Sequence, residues 1–125
     1  MMKNAVSWIE IPVLDFERAK SFYSAIYDYE MQEMEMGATR MGFFPCDQEN
    51  DGVGGAIVWG EDNEPSKKGP RVYLNGGEDL TVILNRVVEA GGKVIAEKIE
   101  ISPDFGYYAT FEDTEDNYIS LHSMV

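Results

Sequence analysis

Cysteine and histidine are almost missing from this chain of 125 residues, with one of each, Cys46 and His122. A single cysteine cannot form an internal disulfide, and its thiol fits a reducing compartment. A single histidine rules out metal centres built on two imidazoles, including the two-His, one-carboxylate iron site of ring-cleaving dioxygenases. Basic residues are also scarce: 10 Lys and Arg stand against 23 Asp and Glu, a formal charge of −13. Such a chain repels nucleic acid and anionic lipid, whose recognition needs clustered cations. No apolar run approaches the ~18 residues of a membrane-spanning helix. "MMKNAVSWIEIPVLD" has neither the apolar stretch nor the small-residue cleavage site of a secretion signal. The expectation is a soluble cytoplasmic protein with no nucleic-acid or membrane partner.

Apolar and aromatic residues are plentiful, 44% and 12% of the chain, enough for one buried core. Trp8–Val13 alternates, with Ile9, Ile11 and Val13 on one face and Trp8, Glu10 and Pro12 on the other. Asp15 is a good N-cap, and Phe16, Ala19, Phe22, Tyr23 and Ile26 follow helical spacing, predicting a helix over about 16–28. Short strands are predicted near 30–36, 39–45 and 53–59. The polar stretch "GEDNEPSKKGP" then reads as a linker.

After it the pattern restarts. Arg71–Asn75 reads as a strand, and Leu80, Ile83, Leu84, Val87 and Val88 form a core-facing helical stripe entered near Glu78/Asp79. Gly91-Gly92 ends the helix, and strands follow near 93–101, 106–112 and 117–123. The order βαβββ–linker–βαβββ predicts an α+β fold with residues 1–125 as a single domain. Its modules would span 1–60 and 71–125 around a 61–70 linker. Two curved mixed sheets would pair around a central groove, with helices on the outer faces.

Several motifs fail on their spacing. "DQENDG" resembles the start of a calcium loop, but Val58 stands where the bidentate Glu should be. "GVGG" leads into a strand, not a phosphate-binding helix, and reads as a bend or bulge. Nothing local activates Cys46, so a Cys46–His122 nucleophile and base is disfavoured.

"WIEIPVLDFERAKSFYSAIY", "VYLNGGEDLTVILNRVVEAGGKVI" and "GYYATFEDTEDNYISLHS" resemble the glyoxalase/bleomycin-resistance/dioxygenase proteins of the vicinal oxygen chelate superfamily. The last stretch resembles that family's F-x-D-P-x-G-N turn, with Thr114 and Asp116 where Pro and Gly are usual. The resemblance implies a cleft, a homodimer and, in many members, a divalent metal held by His, Gln or Glu. The positions matching those ligands here are Trp8, Arg71 and Ser120. Indole and guanidinium offer no ordinary lone pair and a serine is a poor ligand, so no metal cofactor is expected. A displaced site from Glu10, His122 and Glu112 is the remaining metal alternative.

The expected function is therefore binding of a small organic molecule in an aromatic-lined groove. Trp8, Arg71, Tyr73, Ser120 and Tyr108 (or its neighbour Tyr107) would contact the ligand. Arg71 would clamp a carboxylate or phosphate, or else pair with Glu10. The alternative is a lactoylglutathione lyase-like lyase or isomerase with Glu10 and His122 as acid and base. The bland readings stay open beside these: Trp8 as packing, Ser120 as a small space-maker, and His122 as a hydrogen-bonded wall residue.

Overall fold

A computed structural model describes residues 3–125. Two four-stranded mixed sheets are built in the same way. The first module holds β1 (Trp8–Pro12), α1 (Phe16–Tyr27), β2 (Glu33–Met36), β3 (Thr39–Phe43) and β4 (Gly54–Trp59), with strand order β1-β4-β3-β2. The second holds β5 (Val72–Asn75), α2 (Thr81–Leu84), α3 (Val87–Ala90), β6 (Lys93–Ser102), β7 (Gly106–Glu112) and β8 (Tyr118–Ser123), with order β5-β8-β7-β6. In each sheet the first strand pairs parallel to the last, and the others are antiparallel. The fold is α+β, with two βαβββ modules.

Helix α1 forms where its apolar stripe demands. Asp15 caps it by accepting the Arg18 amide at 3.1 Å, and Phe16, Ala19, Phe22, Tyr23 and Ile26 are buried. They meet Ile11, Ile57, Leu74, Leu84, Phe111 and Leu121 in one core shared by both modules.

The predicted second helix is broken in two. The Arg86 amide bonds back to the Ile83 carbonyl, three residues away, and this tight turn changes the phase. Val87 stays buried, but Val88 swings out to 66% exposure, contrary to its predicted place in the stripe. The Asp79 carboxylate accepts the Thr81 amide at 2.9 Å, as its predicted entry role requires.

Gly54 and Gly55 also differ from expectation. They sit in regular register opposite Trp8 and Ile9, with no bulge. A Cβ on Gly55 would lie 2.5 Å from the Ile9 side chain, so glycine lets β1 close against β4.

The "DTEDN" turn joins the modules. Glu115, fully buried, accepts the Leu14 and Asp15 amides at 2.9 and 2.7 Å and the Arg18 guanidinium at 2.7 and 3.0 Å. Asp113 accepts the Tyr23 hydroxyl at 2.7 Å. The Asn117 amide donates to the Pro12 carbonyl at 2.8 Å, while its oxygen accepts the Ser66 amide at 2.9 Å. One turn thus holds the end of β1, the start of α1 and the linker. Asp116 has φ 69°, the left-handed region, which explains why glycine is usual there in the family the motif resembles.

Candidate functional site

Strand alternation sends Ile9 and Ile11 to the helices and leaves Trp8, Glu10 and Pro12 on the open face of the first sheet. Met41, Phe43, Ala56 and Val58 cluster on that face, and Trp8 meets Phe43 edge-on with ring centres 6.1 Å apart. The Trp8 indole donates to Glu10 at 3.2 Å.

On the open face of the second sheet, Tyr73, Ser120 and Thr110 form one cross-strand row, and Asn75, His122 and Tyr108 the next. Tyr108, not Tyr107, belongs here: its ring is 6.4 Å from Tyr73, whereas Tyr107 packs against the core with Lys98 over its ring at 4.6 Å. Ser120 is fully buried, its hydroxyl 2.8 Å from that of Thr110. His122 donates from Nε2 to the Phe105 carbonyl at 2.6 Å; a carbonyl partner requires the proton on that nitrogen.

The predicted site residues do not gather in one cavity. His122, Tyr73 and Asn75 line an open cavity of about 560 Å³ at the ends of β5 and β8. Glu10 lines another, of about 230 Å³, with Pro12, Tyr118, Asn117 and the linker residues Ser66 and Lys68. Arg71 and Tyr73 border a third, of about 540 Å³, whose walls include Ile9, Tyr27, Phe44 and Val72. Glu10 and Arg71 form no salt bridge with each other; the Arg71 guanidinium instead lies 5.7 Å from the Tyr118 ring centre.

The second and third cavities run along the seam between β1 and β5, each an edge strand of its sheet. Sequence reasoning missed this seam. It treated Ile9 and Val72 as core and 61–70 as a mere connection. The signal available was the anchoring chemistry of the linker: Ser66 on Asn117, and Lys67 3.4 Å from Glu112.

The positions matching family metal ligands carry an indole donating to Glu10, a guanidinium over a ring, and a hydroxyl engaged with Thr110. These do not fit a divalent cation. Among the described residues no group of three His, Cys, Asp or Glu side chains is placed to hold one. Glu112, the third member of the displaced alternative, is paired with Lys67.

Titration follows burial and partners. Burial would raise the Glu115 carboxyl, but Arg18, the Asp15 and Leu14 amides and Thr114 outweigh it and hold it below the ordinary value. At Asp113 burial wins over its hydrogen bonds and pushes the carboxyl up. Burial also pushes the Tyr27 phenol up, so it stays neutral; it donates to the Asn75 carbonyl at 2.8 Å.

No protein-family model matches the chain. A "Glyoxylase-like domain-containing protein" of Didymella fabae is 30% identical over 123 residues, covering 94% of this chain and 91% of that one. The chain belongs to the glyoxalase/bleomycin-resistance/dioxygenase family. Solved structures of this glyoxalase-like family share its fold. A V278E mutant of maize glyoxalase I aligns at TM-score 0.70 and 17% identity, over 94% of this chain and 45% of that one. A glyoxalase/bleomycin resistance protein/dioxygenase family enzyme from Burkholderia phytofirmans aligns at 0.63 and 16%, over 95% and 98%. The fosfomycin resistance protein FosX of Listeria monocytogenes aligns at 0.63 and 17%, over 98% and 92%.

Proposed function

We infer that this glyoxalase-like protein binds a small organic molecule without a divalent metal, at the seam between its two modules. One observation carries the reading: the cavity of about 540 Å³ there has aromatic and aliphatic walls with few polar groups. Its size and lining are those of a site that buries a flat or apolar body and orients it sparingly. Melting the protein against a compound library with and without EDTA tests this. The expected result is a set of hits whose shift survives the chelator and is lost in Val72→Trp, which fills the cavity. A library with no hit, or hits that need added metal, would refute it.

The same reading includes a homodimer. Its support is the open face of the first sheet, where Trp8, Met34 and Met36 remain 37%, 42% and 57% exposed. Light scattering is expected to return twice the 14.1 kDa chain mass.

A further inference from the structure

Resting on that seam reading, the charge pattern of the cavity goes further and names the chemistry of the ligand. The chain carries 23 acidic residues, yet none of the residues lining the larger seam cavity is Asp or Glu, and Arg71 is the single ionised one. Arg71 enters no salt bridge among the described residues. Its planar fork lies 5.7 Å from the centre of the Tyr118 ring, at the border with the smaller cavity, and has no carboxylate partner among the described residues; it matches a carboxylate in two parallel hydrogen bonds. The Tyr27 phenol, which also lines the cavity, stays neutral and donates to the Asn75 carbonyl, so it adds no charge.

Ile9, Tyr27, Phe44 and Val72 each rest on the core with one side and stay half-buried on the other. That is an apolar wall lacking its last layer. The neighbouring smaller cavity shares Pro70 and Val72 with the larger one, but it carries Glu10 and Glu64 against the single cation Lys68, a net negative lining that disfavours a second negative charge.

The geometry points to an amphiphilic monocarboxylate as the ligand, its apolar body against Ile9, Tyr27, Phe44 and Val72 and its carboxylate on Arg71. A dicarboxylate or a phosphate monoester would place extra charge toward Glu10 and Glu64 in a chain already at −13.

The test is calorimetric titration of the full chain, in EDTA, with decanoate, decanol, decyltrimethylammonium, decanedioate and decyl phosphate. Decanoate is expected to bind about tenfold or more tightly than any of the others, the gain of one charged hydrogen-bonded pair. Arg71→Gln should erase that margin and leave decanol unchanged. Amide shifts on adding decanoate should centre on Ile9, Tyr27 and Val72, a readout that needs no variant.

Equal binding of decanol and decanoate, or a margin surviving in Arg71→Gln, would overturn the carboxylate assignment while seam binding stands; amide shifts centred elsewhere would overturn both. Library hits of another class with no binding by the decyl series would do the same. Failure of both the library and the series would refute the seam reading and this assignment with it.

Discussion

Ser120 bears on what chemistry the protein can do. It stands where the family resemblance expects a metal-binding Glu, fully buried between Tyr73 and Thr110 with its hydroxyl already bonded. Restoring the carboxylate alone should not restore a metal. Ser120→Glu is expected to lose about 2–4 kcal/mol of stability by forcing bulk and charge into filled space, with no stoichiometric nickel or zinc. Urea unfolding and metal analysis by mass spectrometry measure the two effects. Glu115 is the opposite case, a buried carboxylate whose partners are all present. Glu115→Ala strips two backbone amides and Arg18 of their acceptor and should cost about 2–4 kcal/mol in the same unfolding assay. Asp116→Gly is expected to gain up to about 1 kcal/mol, because glycine adopts its left-handed backbone without penalty. Of these three residues, Ser120 and Asp116 were marked in the sequence by their departure from the family motif, and Glu115 was not. A buried polar turn looks like a solvated one until its donors, 100 residues away in sequence, are known.

Elements were easier to read than their fates. All eight strands and α1 lie within a few residues of the predicted positions, because alternation and helical spacing are local signals. The second helix broke where one tight hydrogen bond shifted its phase, which periodicity cannot register. The linker is mostly exposed and forms no helix or strand, as its polar composition predicts, but Ser66 and Lys67 also tie it to Asn117 and Glu112, and it walls the smaller seam cavity. Asn117→Ala should therefore do two things at once. It should cost about 2–3 kcal/mol in unfolding, by removing the bonds to Pro12 and Ser66. It should also open 60–70 to limited proteolysis, with new cleavage after Lys67 or Lys68 by trypsin.

At the scale of the whole molecule, acid is the condition to which the clasp between modules responds. Glu115 has its folded value lowered, so its contribution is full above the ordinary Glu range and disappears as pH falls through the folded value. Asp79 acts in the same sense, held at about 2 first by Thr81 and then by Lys98, as does Glu33, held low by Arg40 and Lys20. Asp113 acts in the opposite sense: its raised value favours the protonated form in the fold and is a cost that grows as pH rises through it. The sum predicts falling urea midpoints from pH 6 to pH 3, with a shallower slope in Glu115→Gln. A slope unchanged by that substitution would place the acid response outside the clasp.

The outer strand β6 has a consequence of its own. It is ten residues long and forms the far edge of its sheet, with its pairing to β7 interrupted by register shifts between Val94 and Ala96, Ala96 and Ile99, and Glu100 and Ser102. Those irregularities twist the strand, and Lys93, Glu97, Lys98 and Glu100 stud it with charge. The exposed isoleucines at 95, 99 and 101 would otherwise make it a template for fibril growth. The chain is thus protected against edge-to-edge polymerisation at its longest strand, the edge that would otherwise offer the most backbone for endless growth.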